Sequence, residues 1–243
     1  MTNIIKFFSN RPWLTANSIS KPEPIIKTIP EWYRKADRFA VDPVTNEVWK
    51  GPDGGKVPTW KSCPAVFDIM GSGYALKTPC DLEFYLDEAG VIQVRIENPA
   101  YQDFCTKRPP MPQFQNPLGY HPHHFAWLPD WGVGVPEGYS VLYTHPLNRF
   151  ELPFLTTSGI IDNDAVNQPG MMPFFVSRSF QGIIPAGTVY AQMIPFKRDN
   201  WESEPVIQSV EQMFEKHKET AEIYRIPDGG VYKDKVWTRR SYK

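Results

Sequence analysis

Short apolar runs bounded by turn residues dominate this chain, and a helical period holds over only one long stretch near its end. Strands are predicted at Tyr74–Lys77, Leu82–Leu86 and Val91–Ile96, the last two joined by the turn Asp87-Glu88-Ala89-Gly90. Between Ile96 and Trp127 prolines break the pattern, and the segment is expected to be loop. From Tyr139 to Phe196 apolar runs return at the spacing of about eight to twelve residues seen in barrels and sandwiches. The long helix is predicted from about Glu204 to Tyr224. There Val206, Ile207, Val210, Met213, Phe214 and His217 recur at three- and four-residue steps, Pro205 suits a first turn, and Pro227-Asp228-Gly229-Gly230 is a stop.

The N-terminal forty residues carry Pro22, Pro24 and Pro30 and are expected to form an extended arm. It ends in a short helix over Glu31–Lys35 with Pro30 at its start. Asp42 to Lys56 holds two turn clusters and suits an exposed hairpin or loop. Ser62 is a candidate N-cap for the helix Pro-Ala-Val-Phe-Asp-Ile-Met, which Gly71 and Gly73 stop. The expected organisation is therefore an arm and short helix over 1–60, a mainly β core over 61–200, and a helix with a basic aromatic tail over 201–243.

Composition sharpens this picture. Twenty-five prolines in 243 residues are about twice the usual share of ~5%, which favours short strands and fixed loops over helices. The formal net charge of −1 points away from a general nucleic-acid or membrane-surface binder. No run approaches the ~20 apolar residues of a membrane span, and the start lacks a signal-peptide cleavage pattern. The expected location is the cytoplasm of a host, or a virion. Cys63, Cys80 and Cys105 are an odd set without a CxxC pair and are expected to be reduced thiols.

Candidate chemistry concentrates between Gly159 and Phe196. Gly159-Ile160-Ile161-Asp162-Asn163-Asp164 is an apolar run closed by two carboxylates. Pro185-Ala186-Gly187 makes a turn, and the strand that follows carries a lone amide at Gln192. Upstream, Val135-Pro136-Glu137-Gly138-Tyr139 supplies a P-x-G turn before a strand. Over about residues 70–200 this order resembles the motifs of the dUTPase and dCTP-deaminase superfamily. The resemblance implies a dUTPase-like β-clip barrel, here with an N-terminal arm and a C-terminal amphipathic helix, and a homotrimer, since such relatives share strands around a three-fold axis.

By the same resemblance Asp162 falls on the position of the water-orienting general base. Arg149, Asp164 and Gln192 are the candidate ligand-binding residues. The chain also departs from that family. Thr144-His145-Pro146-Leu147-Asn148-Arg149 replaces its phosphate-binding A-R-S segment, Ala165 replaces its sugar-packing tyrosine, and its glycine-rich C-terminal motif has no counterpart. A second resemblance covers more of the chain. TIPEWYRKADR, TWKSCPAVFDIMGSGYALKTPCDLEF, PEGYSVLYTHPLNR and IIPAGTVYAQMIPFKRDNW are similar to an uncharacterised family of tailed phages and marine bacteria, which implies a phage-type context.

The resulting expectation is a non-hydrolytic structural or accessory protein with no cofactor, associating with itself and with other virion or phage proteins. The alternative is an Mg2+-dependent deoxynucleoside triphosphate pyrophosphohydrolase or deaminase with Asp162 as base. His121, His123 and His124 within Tyr-His-Pro-His-His-Phe invite a metal. Pro122 and the divergence of adjacent side chains favour an exposed or interfacial loop instead, with His145 the remaining distant ligand. Phe125, Trp127 and Trp131 suit core or interface packing. Lys233, Lys235, Arg239, Arg240 and Lys243 suit a solvated or interface tail.

Overall fold

The computed structural model describes residues 3–52, 54–168, 170–224, 232 and 236–243. It is mainly β, with several antiparallel sheets and one long helix near the C-terminal end. The chain divides into two compact units. One comprises Met1–Thr28, Ser72–Arg198 and Tyr242–Lys243, and the other comprises Ile29–Gly71 and Asp199–Ser241.

Among the described residues the first unit holds fourteen strands. They are β1 (Lys6–Ser9), β2 (Glu23–Pro24), β3 (Tyr74–Lys77), β4 (Leu82–Leu86), β5 (Ile92–Arg95), β6 (Cys105–Lys107) and β7 (Tyr120–Trp127). After these come β8 (Trp131–Gly134), β9 (Tyr139–Thr144), β10 (Phe154–Thr156), β11 (Gly159–Ile161), β12 (Met172–Ser177), β13 (Gly182–Ile184) and β14 (Val189–Lys197). Hydrogen bonding orders them as β1-β8, β10-β12-β7-β6, β11-β9-β14-β3-β2 and β13-β4-β5.

Aromatic side chains from three of these sheets meet in one core. Trp127 of β7 stacks on Phe174 of β12 with ring centroids 3.6 Å apart and planes at 4°. Phe154 of β10, Phe84 of β4 and Tyr190 of β14 close around them edge-on or tilted. Strand alternation makes this possible, since Phe125 and Trp127, or Phe174 and Val176, fall on one face two residues apart. The Trp127 indole N–H donates to Thr156 Oγ1 at 3.1 Å, whose hydroxyl donates to the Tyr190 carbonyl at 2.6 Å. Phe125, Trp127 and Trp131 are thus core residues.

Two expectations about loops are corrected here. The histidine segment is not a loop: Tyr120–Trp127 is an eight-residue strand. Pro122 is tolerated because the pairing of β7 with β12 shifts register between Phe175 and Ser177, leaving Pro122 without a cross-strand partner. Nor is the beginning of the chain only an arm, since Lys6–Ser9 pairs antiparallel with Trp131–Gly134. The last strand also runs past Ile194 to Lys197. Pairing with β3 stops at Met193, so Pro195 has one unpaired side for its missing N–H.

The second unit contains α1 (Glu31–Lys35), α2 (Pro64–Gly71) and α3 (Val210–Tyr224). Isolated bridges Phe39↔Pro58, Val41↔Val48 and Lys50↔Lys56 shape the turn region between α1 and α2. Ser62 does not cap α2. It ends a 3-10 turn, Trp60–Ser62, and its hydroxyl donates to the Arg38 carbonyl, so the cap position falls to Cys63. Helix α3 starts at Val210 rather than near Glu204. Ser209 and Gln212 exchange side-chain to backbone hydrogen bonds (2.9 and 3.3 Å), a capping box that fixes the start beyond Pro205. Its apolar residues Val210, Met213 and Phe214 are exposed. The expected stop at Pro227-Asp228-Gly229-Gly230 lies outside the described residues, as do Lys233 and Lys235. Among the described residues no helix is long and apolar enough to cross a membrane.

Candidate functional site

Strands β11, β9 and β14 are neighbours in one sheet, so the three sequence motifs that suggested chemistry lie side by side. Ile161 pairs with Val141, and Asp162 follows where the ladder ends. The segment then folds back on itself, with the Ala165 and Val166 N–H groups both donating to the Asp162 carbonyl at 3.0 Å. Asn163 is fully buried. Its Oδ1 accepts from the Tyr143 hydroxyl at 2.9 Å, and its amide donates to the Val166 carbonyl at 2.7 Å.

The two carboxylates converge on Arg198, immediately beyond β14. Arg198 donates through both terminal nitrogens to Asp164, at 2.9 Å for the contact to Oδ1, and lies 3.2 Å from Asp162 Oδ1. Ser140 donates its hydroxyl to Asp162 Oδ1 at 2.6 Å, and the Gly138 N–H donates to Asp164 Oδ2 at 2.9 Å. Gly138 has φ +80°, the left-handed turn conformation that glycine adopts without a Cβ penalty. The Arg198 guanidinium, aided by the Gly138 N–H, holds the Asp164 carboxyl down at about 2. Asp162, with a side chain 61% exposed, stays open to solvent on its outer side.

Gln192 sits elsewhere on the same sheet. It pairs with Thr144, whereas Asp162 is held by Ser140, four residues away along β9, or about 14 Å at ~3.4 Å per residue. Its side chain is fully buried and joins two loops, accepting from the Leu147 N–H at 2.9 Å and donating to the Ser72 carbonyl at 2.7 Å. Arg149 pairs with Glu151 and donates to the Thr28 carbonyl at 3.2 Å. The structure therefore brings Asp162 and Asp164 together and leaves Gln192 and Arg149 at the other end of β9.

Sequence reasoning missed the partner that organises the carboxylates. Arg198 stands inside Pro-Phe-Lys-Arg-Asp, a segment conspicuous in the sequence, but only the sheet order brings it beside Asp162. Ser140 carried no signal beyond its strand position, and Asn163 none beyond its place in the turn after β11.

The histidines divide in two. On β7, burial lowers the pKa of His121, His123 and His124 alike. His145 is a neutral structural ring: Nδ1 accepts from the Thr156 N–H at 3.4 Å and Nε2 lies 3.3 Å from the Arg149 carbonyl, with its pKa also lowered by burial. Among the described residues, no three His, Cys, Asp or Glu side chains group as a metal ion would need. The Asp162 and Asp164 pair does not fit Mg2+ as arranged, because the Arg198 guanidinium already takes the position between the carboxylates.

No family model matches the chain, and comparison with curated proteins finds no match.

Proposed function

We propose that this chain is a non-hydrolytic structural or accessory protein of phage type, acting as a homotrimer on a degenerate dUTPase-like β-clip scaffold. The observation that carries the reading is the carboxylate pair bridged by one arginine. Asp162 and Asp164 share one arginine and accept from Ser140 and Gly138, an arrangement suited to bracing a strand end. A general base needs a free lone pair facing substrate and a cleft that binds it. Here Arg149 spends its guanidinium on Glu151 and Thr28, and the amide of Gln192 is used twice inside the fold.

The phage-type context rests on the sequence resemblance. The adjacency of the P-x-G, GIIDND and GTVYAQ strands in one sheet supports the β-clip reading. The homotrimer rests on the β-clip resemblance, whose members share strands around a three-fold axis. The rival, Asp162 as base of an Mg2+-dependent triphosphate hydrolase or deaminase, draws on the exposure of that carboxylate at a strand end.

The experiment is the mass of the purified chain in solution, together with its presence in purified particles. The reading expects three times 28.0 kDa and recovery with particles. A monomer at all concentrations, absent from particles, would overturn it.

A further inference from the structure

The second unit contains a cavity of about 260 Å3 whose walls carry three cations and no carboxylate. Arg38, Lys61 and Arg239 supply the charge, and Phe67 and Trp237 supply an apolar wall. Among the described residues, the guanidinium groups of Arg38 and Arg239 have no carboxylate partner, although Arg239 lies over the Phe67 ring, 5.7 Å from its centroid. Lys61 is anchored by donating to the Tyr33 and Arg34 carbonyls at 2.8 and 3.1 Å, which fixes its charge at the cavity without neutralising it. Phe67 and Trp237 meet edge to face, centroids 6.5 Å apart. The Trp237 indole N–H donates to Asp68 Oδ2 at 2.7 Å, which fixes the ring orientation.

Among the described residues, three cations converge on one small space with no carboxylate on its wall, an arrangement that attracts an anion, and the charge count indicates which anion. A single carboxylate leaves a surplus of positive charge. A phosphomonoester, at about −1.5 to −2 near pH 7, matches better and accepts from both guanidinium groups in the planar fork that arginine offers. The aromatic wall adds a flat apolar portion to the ligand. The volume lies just below the ~300–1,000 Å3 of pockets for larger molecules, which sizes the ligand to one ring and one phosphoryl group. We propose that this cavity binds a small aromatic phosphomonoester. The site is separate from the Asp162 carboxylates and does not depend on how they are interpreted.

Cys63 makes the test specific. It lines the cavity and is exposed, while Cys80 and Cys105 are buried. The rate at which iodoacetamide alkylates Cys63 in the full chain therefore reports occupancy. Phenyl phosphate at ten times its dissociation constant is expected to slow alkylation about tenfold by mass action. Phenol at the same concentration leaves the rate unchanged, and inorganic phosphate protects only at higher concentration. The double variant R38Q/R239Q, which keeps side-chain bulk at two exposed positions, loses the protection while its circular dichroism matches the parent. No protection by phenyl phosphate, equal protection by phenol or by inorganic phosphate, or full protection retained in R38Q/R239Q would overturn the proposal.

Discussion

In the first unit Arg11, Arg149 and Arg198 each face a carboxylate, and the aromatic side chains of three sheets close into one core. In the second unit Arg38 and Arg239 line a cavity with no carboxylate on its wall, and the apolar residues of α3 stand in solvent. The same chain thus pairs these arginines with carboxylates in one place and gathers cations away from any wall carboxylate in another. Buried or strand-end charges that are already paired hold a fold together. Charges that converge without a partner are available to something outside the chain. On the readings we propose, the acidic motif is accordingly assigned to the scaffold and the basic cavity to binding.

The sharpest way to break this contrast is to remove one tryptophan from each unit. Trp127→Ala takes out the stacked centre of the first unit and should cost about 3–5 kcal/mol, read as a large fall in the denaturation midpoint. Trp237→Ala removes a half-buried ring and one hydrogen bond and should cost only about 1 kcal/mol. Equal losses would refute the division between core and open site. Next in size is Gln192→Leu, which strands the Leu147 N–H and the Ser72 carbonyl inside the protein. It should cost about 2 kcal/mol or more, measured by denaturant unfolding.

Acid supplies a third probe. Burial holds His121, His123, His124 and His145 neutral in the folded chain, with pKa values lowered from 6.5. The unfolded chain then binds more protons than the folded one below that value. Stability should be flat above about pH 7 and fall as pH drops from 6.5 toward the lowered folded values. A melting temperature that rises between pH 7 and pH 5 would contradict the buried, neutral assignment. The smallest effect concerns Arg198. In the parent, the stability that Asp164 contributes is complete above its ordinary value of 3.8 and lost as pH falls through about 2. Arg198→Gln should move the Asp164 titration, followed by NMR, up toward the ordinary value and remove the Arg198 share of that contribution at pH 7, a small loss because the pair is solvent-screened.

How far the sequence carried can be judged from particular elements. Tyr74–Lys77 and Leu82–Leu86 were legible to the residue because turn residues flank an unbroken β pattern. Strand β7 was illegible because Pro122 and three histidines mask its alternation, and the register shift that excuses the proline depends on the partner strand. The start of α3 was misplaced because a proline signal and a capping box compete, and the reciprocal Ser209–Gln212 bonds fixed the start at Val210. The surroundings of Asp162 were the hardest to read. Its neighbour Arg198 is thirty-six positions away, and no local pattern links them. Similarly, Arg38, Lys61 and Arg239 are scattered over the chain, so the basic cavity had no sequence motif to show it.

The central claim, that Asp162 and Asp164 brace a scaffold and do not catalyse, is tested most directly by turnover. The purified chain should be incubated with each deoxynucleoside triphosphate and Mg2+, and product followed alongside Asp162→Asn. The account predicts no turnover by either protein. Hydrolysis or deamination by the parent that disappears in Asp162→Asn would contradict it.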